Sequence, residues 1–176
     1  MPLSKGLPIH FGPFLVTPQV FHITPLSFAL VNLKPILPGH VLVSPRRVVP
    51  RVSDLTPPET ADLFLTVRRV GRMIERVYGA TSLNIAIQDG AQAGQSVPHV
   101  HAHIIPRKKR DLSSTDEVYE KLDGEEGDLV RGLKRRHDNN GERLRVDDEE
   151  RVARGPGEME AEAVMLAREM EKEPLD

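Results

Sequence analysis

His99-Val100-His101-Ala102-His103-Ile104-Ile105 sets three histidines at every second position of an otherwise apolar run. Successive side chains of an extended strand alternate faces, so this spacing predicts three imidazoles on one side and Val100, Ala102 and Ile104 turned toward a core. Same-face neighbours on a strand lie about 7 Å apart, close enough for one ligand to touch all three rings. Three of the chain's seven histidines fall in this run, a concentration that scattered surface rings would not produce.

Two chemistries fit such a cluster. The rings can hold a transition metal, with Asp89 or Asp111 as the nearest carboxylates to complete the set. Alternatively one imidazole is a nucleophile toward phosphorus while its neighbours orient it or supply a proton, since neutral imidazole is nucleophilic near pH 7. The preceding loop favours the second. Gly94, Gln95 and Ser96 offer close backbone approach, an amide and a hydroxyl to phosphate oxygens. Between Gly90 and Pro106 no acidic side chain stands to repel a polyphosphate.

Outward from this run, Val97–Pro106 reads as one strand and Leu83–Gln88 as its neighbour, with the small polar loop 89–96 between them. Upstream, Phe14-Leu15-Val16, Val20–Thr24, Ser27–Leu33 and His40–Ser44 are short β-rich runs separated by Pro and Gly turns, which predicts an antiparallel meander. Thr56, Pro57 and Glu59 form a helix start, and Leu63, Val67, Val70, Ile74 and Val77 recur at helical spacing until Gly79. Arg68, Arg69, Arg72 and Arg76 lie mostly off that stripe and are expected on a solvated face. Residues 115–122 predict a short helix with Val118, Tyr119 and Leu122 inward. Glu158–Lys172 predicts a last helix with Met159, Ala163, Leu166 and Met170 on one face.

The 176 residues carry 24 basic and 26 acidic side chains, but unevenly. Residues 1–106 hold 9 basic and 5 acidic groups, residues 107–176 hold 15 and 21. The expected organisation is a folded body over 1–122, a charged and disordered insertion over 123–157 and a packed C-terminal helix over 158–176. Neither part is basic enough for nucleic acid to be the main ligand. Cysteine is absent, which excludes thiol catalysis, disulfides and Cys-ligated metal. With no membrane-length apolar run and no signal-peptide core, the expected location is cytoplasmic, nuclear or both.

The pattern His-φ-His-φ-His-φ-φ resembles the signature of the histidine triad (HIT) superfamily. Ser27–Pro35, Pro38–Val43, Asp54-Leu55, Ala61–Phe64 and Gln88-Asp89-Gly90 with Ala93-Gly94-Gln95 resemble its Fhit (fragile histidine triad) branch, and the resemblance runs from about Phe11 to Tyr119. It implies an α+β HIT fold: an antiparallel sheet of about five strands with a packed helix, extended across a homodimer. It further implies hydrolysis of diadenosine triphosphate to AMP and ADP, assisted by a divalent cation (Mn2+ or Mg2+) bound with the polyphosphate, and no residue is assigned as a metal ligand. By position, His101 matches the nucleophile that forms a nucleotidyl-histidine, and His103 the ring at the scissile bridge. His99 and His40 match imidazoles that orient the nucleophile. Asn32 resembles the nucleoside contact, while Gln88, Gly94, Gln95, Ser96 and Val97 resemble contacts to phosphate and bridging oxygens. Phe14 stands where some members carry a ligand-contacting histidine, and Pro98 replaces a non-proline residue. A phosphoramidase of the Hint branch and a nucleotide-sensing module with incidental turnover remain as rival readings.

Overall fold

Short turns separate the apolar runs of the N-terminal half, so neighbouring runs pair antiparallel. The computed structural model describes residues 6–123 and 153–175. Most of the charged stretch expected over 123–157 lies outside these residues. Strands β1 (His10–Phe11) and β2 (Phe14–Leu15) form a small hairpin. The main sheet contains β3 (Val20–Ile23), β4 (Ser27–Val31), β5 (Val41–Pro45), β6 (Ser82–Ala86) and β7 (Ala102–Arg107) in the order β3-β4-β5-β7-β6, antiparallel throughout. The meander therefore holds for β3 to β5 and ends there, because β7 inserts between β5 and β6.

Helix α1 (Pro57–Tyr78) joins β5 to β6. Thr56 caps it, and the Glu59 carboxylate returns the favour by accepting the Thr56 N–H at 2.8 Å. The same carboxylate takes two hydrogen bonds at 2.7 Å from the Arg47 guanidinium just beyond β5, which hold its pKa down at about 2. Leu63, Val67, Val70, Met73 and Ile74 bury one stripe of α1 in a cluster with Val41, Val43, Ala102 and Ile104 of the sheet. Each such side chain contributes roughly 1.5–3 kcal/mol. Ile105, one position along β7, points to the other face and packs with Val118 and Leu122 of α2 (residues 117–123). His103 shares that second face.

Helix α3 (Pro156–Met170) buries Met159, Ala163, Leu166 and Met170, the stripe its sequence predicts, against β3, β4, α1 and the 3-10 turn Thr17–Gln19. The arginines of α1 are not all on a solvated face. Arg69 donates to the carbonyls of Met170 at 3.2 Å and Glu173 at 2.9 Å, and Arg76 pairs with Glu169 and Glu173 at 2.6 and 2.7 Å. The reason is the end of α3, where the negative end of the helix dipole and the Glu169 and Glu173 carboxylates meet the arginines of α1. No described helix is long and apolar enough to cross a membrane.

Gly39, with φ +90°, turns the chain into His40 directly under the Tyr78 ring, where a Cβ would lie 2.6 Å from Tyr78 Cδ2. Both the left-handed backbone and the clash oppose any side chain there. Gly39→Ala is expected to cost about 2–3 kcal/mol, read as a lower urea midpoint; an unchanged midpoint would show that the turn yields freely.

Candidate active site

β7 begins at Ala102, so the expected strand over Val97–Pro106 is shorter than its sequence suggests. Pro98 has no N–H to give a ladder, the His99 N–H turns back to Val97 O at 2.7 Å, and the Val100 N–H goes to Val49 O at 2.8 Å. Only His103 thus sits in the strand; of the two histidines before it, His99 lies in a bend and His101 in irregular backbone leading into β7. The rings still converge: His101 and His103 lie 5.0 Å apart between centroids, at 65°.

Hydrogen-bond partners assign the tautomer of each ring. The Gly12 N–H donates to His99 Nδ1 at 2.9 Å, so the His99 proton sits on Nε2, which donates to the Pro45 carbonyl at 2.8 Å. This ring is fully buried, and desolvation pushes its pKa down to about 4. His101 Nδ1–H donates to the main-chain carbonyl of His99 at 2.8 Å, which leaves the lone pair of the neutral ring on Nε2. On the other side the Ile36 N–H donates to His40 Nδ1 at 3.1 Å, so His40 Nε2–H donates to His103 Nδ1 at 3.0 Å. The remaining proton of neutral His103 is then on Nε2. The two rings expected to orient the nucleophile therefore act differently. His99 holds His101 through its carbonyl, and the His40 ring engages His103.

Asn32, 2% exposed, follows β4, and its Nδ2 lies 3.4 Å from His40 Nε2. Gln88 and Gly94 meet each other: a Cβ on Gly94 would collide with the Gln88 amide nitrogen, and Gly94 adopts φ +92°. Gln88 Oε1 is buried with no hydrogen-bond partner among the described residues, a site for a donor that a ligand or water would supply. The Gln95 amide is already committed, accepting from Gly90 N at 3.0 Å and donating to Pro50 O at 2.8 Å, so it shapes the loop. Ser96 is half-buried beside Val97, and buried Val97 packs on Gly12, where a Cβ would lie 2.8 Å from Val97 Cγ1.

The groups considered for a metal set are engaged in other bonds. Using His99 as a ligand would forfeit its bond from Gly12 or its bond to Pro45. The two carboxylates nearest in sequence are also engaged elsewhere. Asp89 is held ionised by Arg51, and Asp111 by the Arg107 fork at 2.9 and 3.0 Å, which lowers both pKa values. Among the described residues no three His, Asp or Glu groups converge as a metal site.

Sequence reading missed Phe11. Its ring stacks on His99 at 5.5 Å and 28°, and meets His101 edge-on at 5.0 Å and 89°. The turn dipeptide Gly12-Pro13 was the available signal, since it marks a tight hairpin, but not where that hairpin docks.

A family model for the HIT domain matches residues 16–110. A protein of Schizosaccharomyces pombe named bis(5'-nucleosyl)-tetraphosphatase [asymmetrical] is 60% identical over 122 residues, 69% of this chain and 67% of that one. An Arabidopsis thaliana protein named bifunctional bis(5'-adenosyl)-triphosphatase/adenylylsulfatase FHIT is 56% identical over 124 residues, 70% of this chain and 69% of that one. Among solved structures, Plasmodium falciparum diadenosine triphosphate hydrolase in complex with Cyclomarin A aligns at TM-score 0.60 and 32% identity, over 76% of this chain and 91% of that one.

The buried neutral His99 ties stability to pH. Its folded pKa of about 4 lies below the ordinary 6.5, so its stabilisation is complete above pH 6.5 and is lost as pH falls toward 4. The loss approaches about 1.4 kcal/mol per pH unit for this ring. Melting temperatures between pH 7 and 4 should fall in the wild type and fall less in His99→Asn. Equal slopes would place the acid sensitivity elsewhere, with His22, also lowered to about 4, as the next ring to replace.

Proposed function

This chain belongs to the HIT-domain family, and from that premise we propose that it is a bis(5'-adenosyl)-triphosphatase, cleaving diadenosine triphosphate to AMP and ADP through a covalent nucleotidyl-His101. The observation that carries the reading is the bond from His101 Nδ1–H to the His99 carbonyl, which presents Nε2 as the nucleophilic atom. Attack of Nε2 on the α-phosphorus forms the N–P bond as the bond to the bridging oxygen breaks, and the electron pair leaves with ADP. His103 Nε2–H, fixed by the His40 bond at Nδ1, is the donor for that oxygen. A terminal phosphate has a second pKa of about 6, so ADP departs as an anion steadied by this hydrogen bond and needs no full proton transfer. Water then attacks phosphorus, the N–P electron pair returns to His101 Nε2, and AMP leaves with the water's proton passing to phosphate or solvent.

Asn32 meets the nucleoside in this reading, and Gln88 with the Gly94–Val97 loop meets the phosphates. A divalent cation, Mn2+ or Mg2+, would arrive with the polyphosphate and would supply charge neutralisation there. The assembly is a homodimer. Supporting this, β6 is a sheet edge carrying Ile85, 49% exposed, beside Phe64 of α1, 47% exposed, an apolar face that a second copy would cover while extending the sheet.

A product assay on diadenosine triphosphate, diadenosine tetraphosphate, adenylyl sulfate and an adenosine phosphoramidate tests the reading. Wild type should release AMP and ADP from the triphosphate, and His101→Asn should lose on the order of 10⁴ in kcat while still binding AMP. A His101→Asn enzyme of normal rate would overturn the covalent mechanism, and preference for the phosphoramidate would move the chain to the rival enzyme class.

A further inference from the structure

The ladder between β4 and β5 ends at Val31, opposite Val41, and the chain then leaves the sheet with Asn32 and Leu33 still buried, 2% and 1% exposed. Their carbonyls need partners that β5 no longer provides. Both partners come from one residue far along the chain. The Arg154 N–H donates to Leu33 O at 3.1 Å, and the Arg154 guanidinium donates to Asn32 O through Nε at 3.2 Å and through Nη2. Arg154 is itself aimed by α3, because its Nη1 pairs with the Glu162 carboxylate. The other oxygen of that carboxylate accepts the Tyr78 hydroxyl at 2.7 Å, and the Tyr78 ring lies over Gly39, the residue before His40.

Asn32 is held at several points. Its side-chain oxygen accepts the Lys34 N–H at 3.2 Å, its carbonyl accepts Arg154, and its Nδ2 faces the His40–His103 pair. A main-chain shift at residue 32 would carry that amide away from the histidines.

We propose that Arg154, oriented by Glu162, is a positioning residue for the nucleoside side of the site: it clamps the Asn32 carbonyl and so sets where the Asn32 amide stands. The inference rests on the hydrolase reading above, in which Asn32 meets the nucleoside. It makes substrate affinity depend on a helix that contributes no group to the chemistry. Arginine suits the role because its fork places two N–H groups on one carbonyl while a third meets the carboxylate; a lysine ammonium keeps the charge but not the fork.

The test is a double-mutant cycle in the full chain, with KM and kcat measured on diadenosine triphosphate and AMP affinity measured by calorimetry in parallel. Arg154→Met should raise KM and the AMP Kd about tenfold, the effect of one lost buried hydrogen-bonded clamp, with kcat held within about threefold. Arg154→Lys should recover about half of that loss on a logarithmic scale. In an Asn32→Ala background the Arg154→Met effect should shrink to less than about twofold, because the amide it positions is gone. A tenfold effect that persists in Asn32→Ala, or a fall in kcat at constant KM, would overturn the clamp. Asn32→Ala with wild-type KM and AMP affinity would remove the nucleoside role of Asn32 and this proposal with it. A wild type that binds AMP without turnover would overturn the hydrolase reading alone, since the AMP arm still reads the clamp.

Discussion

One hydrogen bond orders the site: His101 Nδ1–H to the carbonyl of His99. A carbonyl can only accept, so this contact determines which nitrogen of His101 holds the proton and which holds the lone pair. The surrounding structure keeps that carbonyl still. The His99 ring is pinned at both nitrogens, by the Gly12 N–H and by the Pro45 carbonyl, and is fully buried against Phe11 and Phe28. A charged ring there would have to surrender one of these partners, and so His99 is held as a neutral imidazole. The hairpin β1–β2, the end of β5 and the residues before β7 are all recruited to hold one acceptor in place.

His103 obeys the same logic from the opposite side. It sits in β7 across from Leu42 and Ala86, so the sheet register sets its height, while the His40 bond sets its tautomer. His40 in turn is set by the Ile36 N–H and by the turn at Gly39. Helix α1 works from behind: it packs on the Ala102 and Ile104 face, leaving the His103 face to the site and to the smaller Ile105 cluster. Packing and chemistry thus divide the two sides of a single strand, which the period-two alternation of Ala102, His103, Ile104 and Ile105 makes possible.

That alternation is why much of the fold was readable. Helix α1 carried its own cap, stripe and stop, and the residues expected at its ends are those observed, from Thr56 to Gly79. The histidine run announced its importance without any geometry. Its local conformation was less legible, because the bend at residues 97–99, where Pro98 has no N–H for a ladder, delays the strand to Ala102. The position of β7 between β5 and β6 is a long-range choice that no local pattern encodes. Partners supplied by backbone groups, such as Gly12 N–H, Pro45 O and Ile36 N–H, left no side-chain signature. Arg154 was hidden for a related reason, since its partners Asn32 and Leu33 stand more than a hundred positions away and present only carbonyls.

The same carbonyl has a second consequence in the proposed reaction. When Nε2 of His101 bonds to phosphorus while Nδ1 keeps its proton, the ring becomes a phosphoryl-imidazolium, and the positive charge appears at the N–H that faces the His99 oxygen. The contact of 2.8 Å is already in place before the charge exists, so the stabilisation requires no rearrangement at the moment of reaction. A histidine side chain in that position would compete for the proton and could leave Nδ1 bare, whereas a main-chain carbonyl cannot titrate. In the proposed reaction a neutral, buried neighbour such as His99 therefore serves His101 better through its backbone than through its ring, because the carbonyl meets the developing positive charge without taking the proton.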